Sequence, residues 1–487
     1  MPATAQDTRR SYGIIGGLGP LASADVFFKL MQAMAAGGDI EQADVIFEQH
    51  PFRQSRGDGL ASTATTERKL YVFDMIRDFE KRGVGAVVLP CFLSHTFIDE
   101  LRANTALPIV DMMAALAGHV RREYPHATRI GVLASDYTRE SGLFERYFPA
   151  PAFEVIHARA VDGVNPVAEA VYGADGIKRG HLGDRPLQLL AQAARDLAAQ
   201  GAQVILPGLT EVALAAHAIG ALPAPLVDSN RVYARSVAEG RREAAAKPFK
   251  VGVVGGVGPA ATVDFMQKIV RNTPAARDQE HIKVHVEQNP QIPDRTENLI
   301  GHGPDPTIAL YATCKKLEDG GADLIAIPCN TAHAYVERMQ SSLAIPIVNM
   351  LTVTVQSIRR RFPELKQVGL LATSGTLGSG VYQRALEEQG LRQLAPSPAA
   401  QERVMEAIYG REGVKAGHTE GRCQDDIRAG LDDLARQGAQ VVILGCTELP
   451  LLLPFAELRL GDASVVLVDP TDTLARRCVE MAGMAGG

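Results

Sequence analysis

The feature that most constrains this chain is that it repeats itself. Tyr12-Gly13-Ile14-Ile15-Gly16-Gly17-Leu18-Gly19-Pro20 returns as Val251-Gly252-Val253-Val254-Gly255-Gly256-Val257-Gly258-Pro259. Arg129–Ser135 returns as Gln367–Thr373, and the run from Tyr172 to Lys178 returns as Tyr409 to Lys415. These pairs lie 237 to 239 positions apart, so the register hardly drifts. A period of that length is the size of a domain rather than of a solenoid unit, and 487 residues exceed one ordinary core. The chain therefore reads as two tandem domains, 1–245 and 250–487. They join through Glu239–Pro248, a charged helical end followed by a proline stop.

Within each half, short β-branched runs alternate with amphipathic stretches. In the second half the strands fall at Lys250–Val254, Ile282–Glu287, Leu324–Ile327, Ile345–Asn349, Gln367–Ala372, Val441–Leu444 and Val465–Val468. Helical patterns such as Pro306–Gly320 and Cys423–Gly438 lie between them. This alternation predicts an α/β fold of βαβ units on parallel sheets. A helix over Leu351–Phe362 separates the strands into two sets, hence two parallel-sheet subdomains per half with a cleft between them.

Charge and composition narrow the function classes. A net charge of −6 without any block of like charge gives no electrostatic footprint for nucleic acid. No apolar run approaches bilayer-spanning length, and Met1–Arg10 lacks the apolar core of a secretion signal. The six cysteines, at 91, 314, 329, 423, 446 and 478, form no C-x-x-C pair. That spacing argues against a disulfide framework or a zinc site and for a reducing cytoplasm, where cysteine chemistry is thiolate chemistry.

Two cysteines are placed for such chemistry. Ala322–Pro328 is an apolar run that ends in Cys329-Asn330-Thr331-Ala332-His333, and Gln440–Gly445 ends in Cys446-Thr447-Glu448. Each thiol stands at the carboxyl end of a strand and the amino end of a helix, where open α/β sheets bind ligands. There, backbone N–H groups and the helix dipole favour a thiolate. Facing each other across a cleft, the two sulfurs would exchange a proton with one carbon in either direction. The plainer reading is two buried core thiols. His333 suits helix packing as well as participation.

Other signals divide between function and structure. Gly17-Leu18-Gly19-Pro20-Leu21-Ala22 and Gly256-Val257-Gly258-Pro259-Ala260-Ala261 satisfy the G-x-G-x-x-A dinucleotide pattern. The acidic residues that should follow, Glu48 and Glu287, come roughly 30 positions on rather than about 20. A tight turn lining a small-molecule site explains the glycines equally well. Asn289–Thr296 presents Arg295 from a loop, and a guanidinium matches a carboxylate bidentately. Lys415 follows a Tyr-Gly turn and would meet a second carboxylate. Either cation would also serve as a solvated surface charge.

Together these motifs resemble the Asp/Glu racemase superfamily, in particular its aspartate racemase branch, and the resemblance covers both halves. It is carried by Gly255–Pro259, Asn289–Thr296, Pro328–His333 and Gly445–Glu448. Glutamate racemases are less similar, opening with an Asp-Ser pair where this chain has Gly-Gly-x-Gly-Pro. The resemblance implies two tandem racemase-like domains, each with its active site between two α/β subdomains. It implies Cys329 and Cys446 as catalytic bases, no cofactor and no metal. It also implies an acidic amino-acid substrate contacted by Arg295, Asn330, Thr331, Thr447, Lys415, Gly256, Gly258 and Asn289. Fusion of two copies would supply an internal pseudo-dimer, with further homo-oligomerisation left open.

The first half departs from that pattern. Its first motif reads Pro90-Cys91-Phe92-Leu93-Ser94-His95, with Phe-Leu in place of Asn-Thr, and its second reads Pro207-Gly208-Leu209-Thr210-Glu211, with leucine in place of the cysteine. Cys91, Arg56, Lys178 and Thr210 keep their matching places. Leucine moves no proton, so two-base chemistry is excluded from this half. It then reads first as a degenerate structural partner and second as a half whose Cys91 runs one-sided decarboxylation or isomerisation. For the protein as a whole the alternatives to an aspartate racemase are a cysteine-dependent decarboxylase or cis–trans isomerase of small dicarboxylates, or a first half that is a non-catalytic ligand-binding module regulating the second.

Overall fold

The computed structural model describes residues 10–37, 43–50, 52, 62–240, 248–301, 303–454, 456–460 and 463–485. The chain divides into two compact units, Met1–Lys247 and Pro248–Gly487. Most of the expected join, and Arg56, lie outside the described residues.

The first unit carries strands β1 (Arg10–Ile15), β2 (Ala43–Glu48), β3 (Ala86–Val88) and β4 (Ile109–Val110) in a parallel sheet ordered β2-β1-β3-β4. Its other sheet, β6-β5-β7, is built from β5 (Arg129–Leu133), β6 (Glu154–His157) and β7 (Val204–Pro207). The second unit repeats the plan with β8 (Lys250–Gly255), β9 (Lys283–Gln288), β10 (Leu324–Ala326) and β11 (Ile347–Val348), ordered β11-β10-β8-β9. Its other sheet runs β13-β12-β14-β16-β15, from β12 (Gln367–Leu371), β13 (Arg392–Leu394), β14 (Val441–Leu444), β15 (Glu457–Leu460) and β16 (Ala463–Val468). All pairings are parallel except β15 with β16.

These strands read as continuous apolar runs because helices cover both faces. Leu324, Ile325 and Ala326 of β10 are fully buried, as are Val442 and Ile443 of β14. Burying a side chain of leucine or isoleucine size contributes about 1.5–3 kcal/mol. The separating helix spans Met350–Arg361, started by the Asn349 side chain, which accepts from the Leu351 and Thr352 N–H groups. Two strands escape the apolar-run criterion: β13, which is polar, and β15, an edge strand whose Glu457 and Arg459 face solvent. In the first unit the sheet stops at a single bridge, Ile205 to Leu226, near the place of β16.

Each unit ties its inner helices together with a buried lysine. Lys29 lies 2.7 Å from Asp25 and 2.9 Å from Asp228. Lys268 pairs in the same way with Asp264 and with Asp469.

In each sheet the chain leaves one central strand for neighbours on opposite sides. The crevice at such a switch point is where ligands bind. In the second unit those crevices open beyond β8 and β10 in one sheet, and beyond β12 and β14 in the other. Cys329 follows β10 and Cys446 follows β14. Among the described residues no helix is long and apolar enough to cross a membrane, and no group of three or more His, Cys, Asp or Glu is placed to hold a metal ion.

Candidate active site

In the second unit the two crevices form one cavity. Val257, Arg295, Cys329, Asn330 and Thr331 line it from one lobe, and Thr373, Tyr409, Lys415, Cys446, Thr447 and Glu448 from the other. Its volume, about 10 Å³, holds one water at most. Entry of any ligand larger than water therefore requires the lobes to part.

Cys446 and Glu448 form a buried pair. The Cys446 thiol donates to Glu448 Oε2 at 3.0 Å, and Thr447 Oγ1 donates to the same oxygen at 3.3 Å. Burial, and then the Glu448 charge, push the Cys446 pKa well above the ordinary thiol value, with Lys415 pulling the other way. Cys446 therefore stays protonated. Lys415 Nζ lies 3.6 Å from Glu448 Oε1 and 5.0 Å from the Tyr409 ring centroid. Burial opposes its charge, but Glu448 and the sulfurs of Cys446 and Cys329 outweigh that cost and raise its pKa. Lys415 thus shares the cavity with both sulfurs.

The other cation faces Cys329. Arg295 is buried, and its Nη1 donates to the carbonyls of Ile292 and Pro293 at 3.3 and 3.1 Å. No described carboxylate lies within ion-pair distance of it, and its Nε is buried without a partner. Burial opposes the Arg295 charge, and the neighbouring Cys329 sulfur and Asp294 carboxylate prevail. Asn330 adds another unused donor. Its Oδ1 accepts from Tyr382 Oη at 2.6 Å, which leaves Nδ2 buried and unpartnered. Orphaned buried donors cost about 1–3 kcal/mol each unless a ligand meets them. Here they point to an anion.

Of the other expected contacts, Thr331 lines the cavity, while Asn289, Gly256 and Gly258 stand behind it. Thr331 Oγ1 lies 2.8 Å from Thr376 Oγ1, spanning the lobes. Asn289 Nδ2 donates to Thr313 at 3.1 Å, away from the cavity lining. Gly256 and Gly258 do not line the cavity either. Gly256 has φ +87°, and a Cβ there would lie 2.4 Å from the Asn289 carbonyl carbon. A Cβ on Gly258 would lie 2.2 Å from Glu448 Oε1. The glycines let the turn and the Glu448 carboxylate come close, a structural use rather than a dinucleotide cradle. His333 is a packing residue. Its Nδ1 is 2.9 Å from the Cys329 carbonyl, and its Nε2 accepts from the Met350 N–H at 3.0 Å. That pairing sets the neutral tautomer and fixes the loop carrying Cys329. Glu448, Tyr409 and Tyr382 join the site without a motif of their own. The Thr-Glu and Tyr-Gly pairs recurring in both halves were the signal for the first two.

The first unit keeps much of this frame with one sulfur. Lys178 Nζ lies 3.5 Å from Glu211 Oε1 and 5.0 Å from the Tyr172 ring, and Thr210 Oγ1 donates to Glu211 at 3.3 Å. His95 repeats the His333 pattern, at 2.8 Å from the Cys91 carbonyl and accepting from Met112 N–H at 3.0 Å. A residue that alignment of the halves does not suggest faces Cys91: Arg68 donates to its sulfur at 3.7 Å.

Comparison with known proteins follows the same division. A family model described as Asp/Glu/Hydantoin racemase matches residues 15–237 and again 254–478. The broad specificity amino-acid racemase RacX of Bacillus subtilis (strain 168) is 29% identical over 230 residues, 45% of this chain and 96% of that protein. A glutamate racemase of Aquifex pyrophilus is 32% identical over 156 residues, 31% of this chain and 56% of that protein. Among solved structures, an aspartate racemase of Picrophilus torridus is 28% identical with a TM-score of 0.42, covering 48% of this chain and 94% of that one.

Proposed function

The chain belongs to the Asp/Glu/Hydantoin racemase family as a tandem of two copies, and from that premise we propose that its second unit racemises an acidic amino acid, aspartate first, by proton exchange between Cys329 and Cys446. The observation that carries this reading is the single cavity lined by Cys329, Cys446 and Lys415 together.

Cys446 rests as a thiol on Glu448 and is the acid. Cys329, beside the Arg295 guanidinium, is the base. Its thiolate removes the α-proton from one face, and the Cys446 S–H delivers a proton to the other. The sulfurs then hold exchanged protonation states, ready for the reverse direction. A positioned acid or base of this kind contributes about 10²–10⁴ in rate.

The substrate's anionic groups meet the donors that the protein leaves unpartnered. Arg295 without a carboxylate partner takes one carboxylate, and the Asn330 amide with the Thr447 loop and Lys415 supports the other. Donors that are already oriented also stabilise the carbanion character that develops at Cα. Lobe closure to a nearly waterless cavity keeps solvent from the sulfurs. The reaction so drawn uses no cofactor.

A panel of aspartate, glutamate, asparagine and alanine enantiomers, read by chiral chromatography, tests the proposal. Aspartate or glutamate should racemise fastest. Absence of turnover for both acidic amino acids would refute it. One methylene of difference between these two is worth only about 1–3 kcal/mol in selectivity, so the panel also sets the order between them.

A further inference from the structure

The first unit holds a buried cation that no described carboxylate neutralises. Arg68, on the helix Ser62–Lys81, is 6% exposed. Its guanidinium donates to Cys91 Sγ at 3.7 Å and stands 5.2 Å from the Phe52 ring centroid. No described carboxylate pairs with it, whereas the neighbouring Lys178 has Glu211 at 3.5 Å and the Leu18 carbonyl at 2.9 Å. A buried charge is costly unless paired, and among the described residues the group facing Arg68 is the Cys91 sulfur, so an anion bound beside Cys91 would complete the pairing. The second half has Pro306 at the matching place, so this cation is particular to the first unit.

The surroundings of that cation have turned apolar in a concerted way. In the second unit Tyr382 and Asn330 are joined by a hydrogen bond, and Asn330 offers the cavity a free amide. In the first unit both partners are exchanged: Phe144 and Phe92 stack with ring centroids 5.8 Å apart. Leu93 stands in place of Thr331 and Leu209 in place of Cys446. Leu93 and Phe52 pack in the cluster that contains Cys91 and Leu18. Arg68 is set to receive a carboxylate, while three polar groups of the second cavity, Asn330, Thr331 and Cys446, have the apolar counterparts Phe92, Leu93 and Leu209 here; Lys178 remains, engaged by Glu211.

We propose that the first unit is a binding site for a small monocarboxylate with an apolar body, its carboxylate on Arg68 beside Cys91 and its body against Phe52, Leu93 and the side occupied by Leu209. The site discriminates against acidic amino acids, because a second carboxylate would meet fewer donors than in the second unit, with Phe92 and Leu93 in place of Asn330 and Thr331 and Lys178 already engaged by Glu211 and the Leu18 carbonyl. It stands independently of what the second unit turns over.

Alkylation of the full-length protein tests this. Iodoacetate and iodoacetamide both form an S–CH2 bond to a cysteine thiolate and release iodide, but only iodoacetate carries a carboxylate for Arg68. Peptide mass mapping should show Cys91 labelled faster by iodoacetate, relative to the ratio for a free thiol, by about tenfold or more. Millimolar 4-methylpentanoate should protect Cys91, and L-aspartate should not. Arg68→Met should remove both the preference and the protection. If that variant fails to fold, the wild-type preference and protection decide the matter alone. Equal labelling by the two reagents, protection of Cys91 by aspartate, or no protection by 4-methylpentanoate would overturn the proposal. Cys329 is read in the same maps, so failure of aspartate to protect it counts against the racemase reading and leaves this one standing.

Discussion

Cys446 donates its thiol proton to Glu448 at 3.0 Å, and the same carboxylate holds Lys415 at 3.6 Å. A negative charge beside the thiol thereby keeps it protonated, as the proposed role of proton donor needs, while the lysine keeps that charge from standing alone in a buried place. In the account above this arrangement sets the direction in which the resting enzyme is poised.

Glu448→Gln keeps the shape and removes the charge. Since the Glu448 charge raises the Cys446 pKa, its loss lets the thiol ionise at lower pH. The alkaline limb of the kcat/KM profile should therefore move to lower pH, with kcat reduced. An unmoved limb would show that Glu448 does not govern the protonation of Cys446.

Tyr382→Phe tests the oriented amide. Without the 2.6 Å bond to Tyr382, nothing holds Asn330 Oδ1 away from the cavity. The variant should lose about tenfold in kcat/KM, the size of one net hydrogen bond. Its thermal midpoint should change little, because Phe144 already fills the matching place in the first unit. Steady-state kinetics with both aspartate enantiomers measures the loss.

Alkaline pH should destabilise the protein through its buried thiols. Burial pushes Cys314 and Cys478 up to about 12, and Cys446 is also raised. Above the unfolded thiol value of about 8.5, the unfolded chain releases protons that the native state retains. Stability is thus fully present below that pH and falls as pH rises toward the folded values, by about 1.4 kcal/mol per pH unit for each thiol. Urea midpoints taken at about pH 8 and about pH 10 should show the decline. Cys314→Ala and Cys478→Ala should each make it shallower.

What the residues disclose before folding, and what they do not, follows from distance along the chain. The parallel strands were legible because each is a local apolar run, and the two cysteines because each closes such a run ahead of a helix. The repeat set the lost sulfur at Leu209 beside the retained one at Cys446. Arg68 was invisible, since a single arginine inside an amphipathic helix looks like a solvated charge until folding sets it against Cys91, 23 residues on. The glycines and Asn289 drew attention by motif. Their work is to let Glu448 and the neighbouring turn approach, a contact between lobes that no local pattern announces. Strand β15 was missed for a simpler reason: an antiparallel edge exposes alternate residues, so no apolar run marks it.

The central claim is that two sulfurs on opposite faces of Cα exchange the proton. Turnover of L-aspartate in deuterated water, stopped at low conversion, tests it most directly. The account predicts deuterium at Cα in newly formed D-aspartate while recovered L-aspartate remains unlabelled, with racemisation lost by about 10² or more in Cys329→Ser and Cys446→Ser and retained in Cys91→Ser. Label accumulating equally in the recovered substrate, or racemisation that survives loss of either second-unit cysteine, would contradict it.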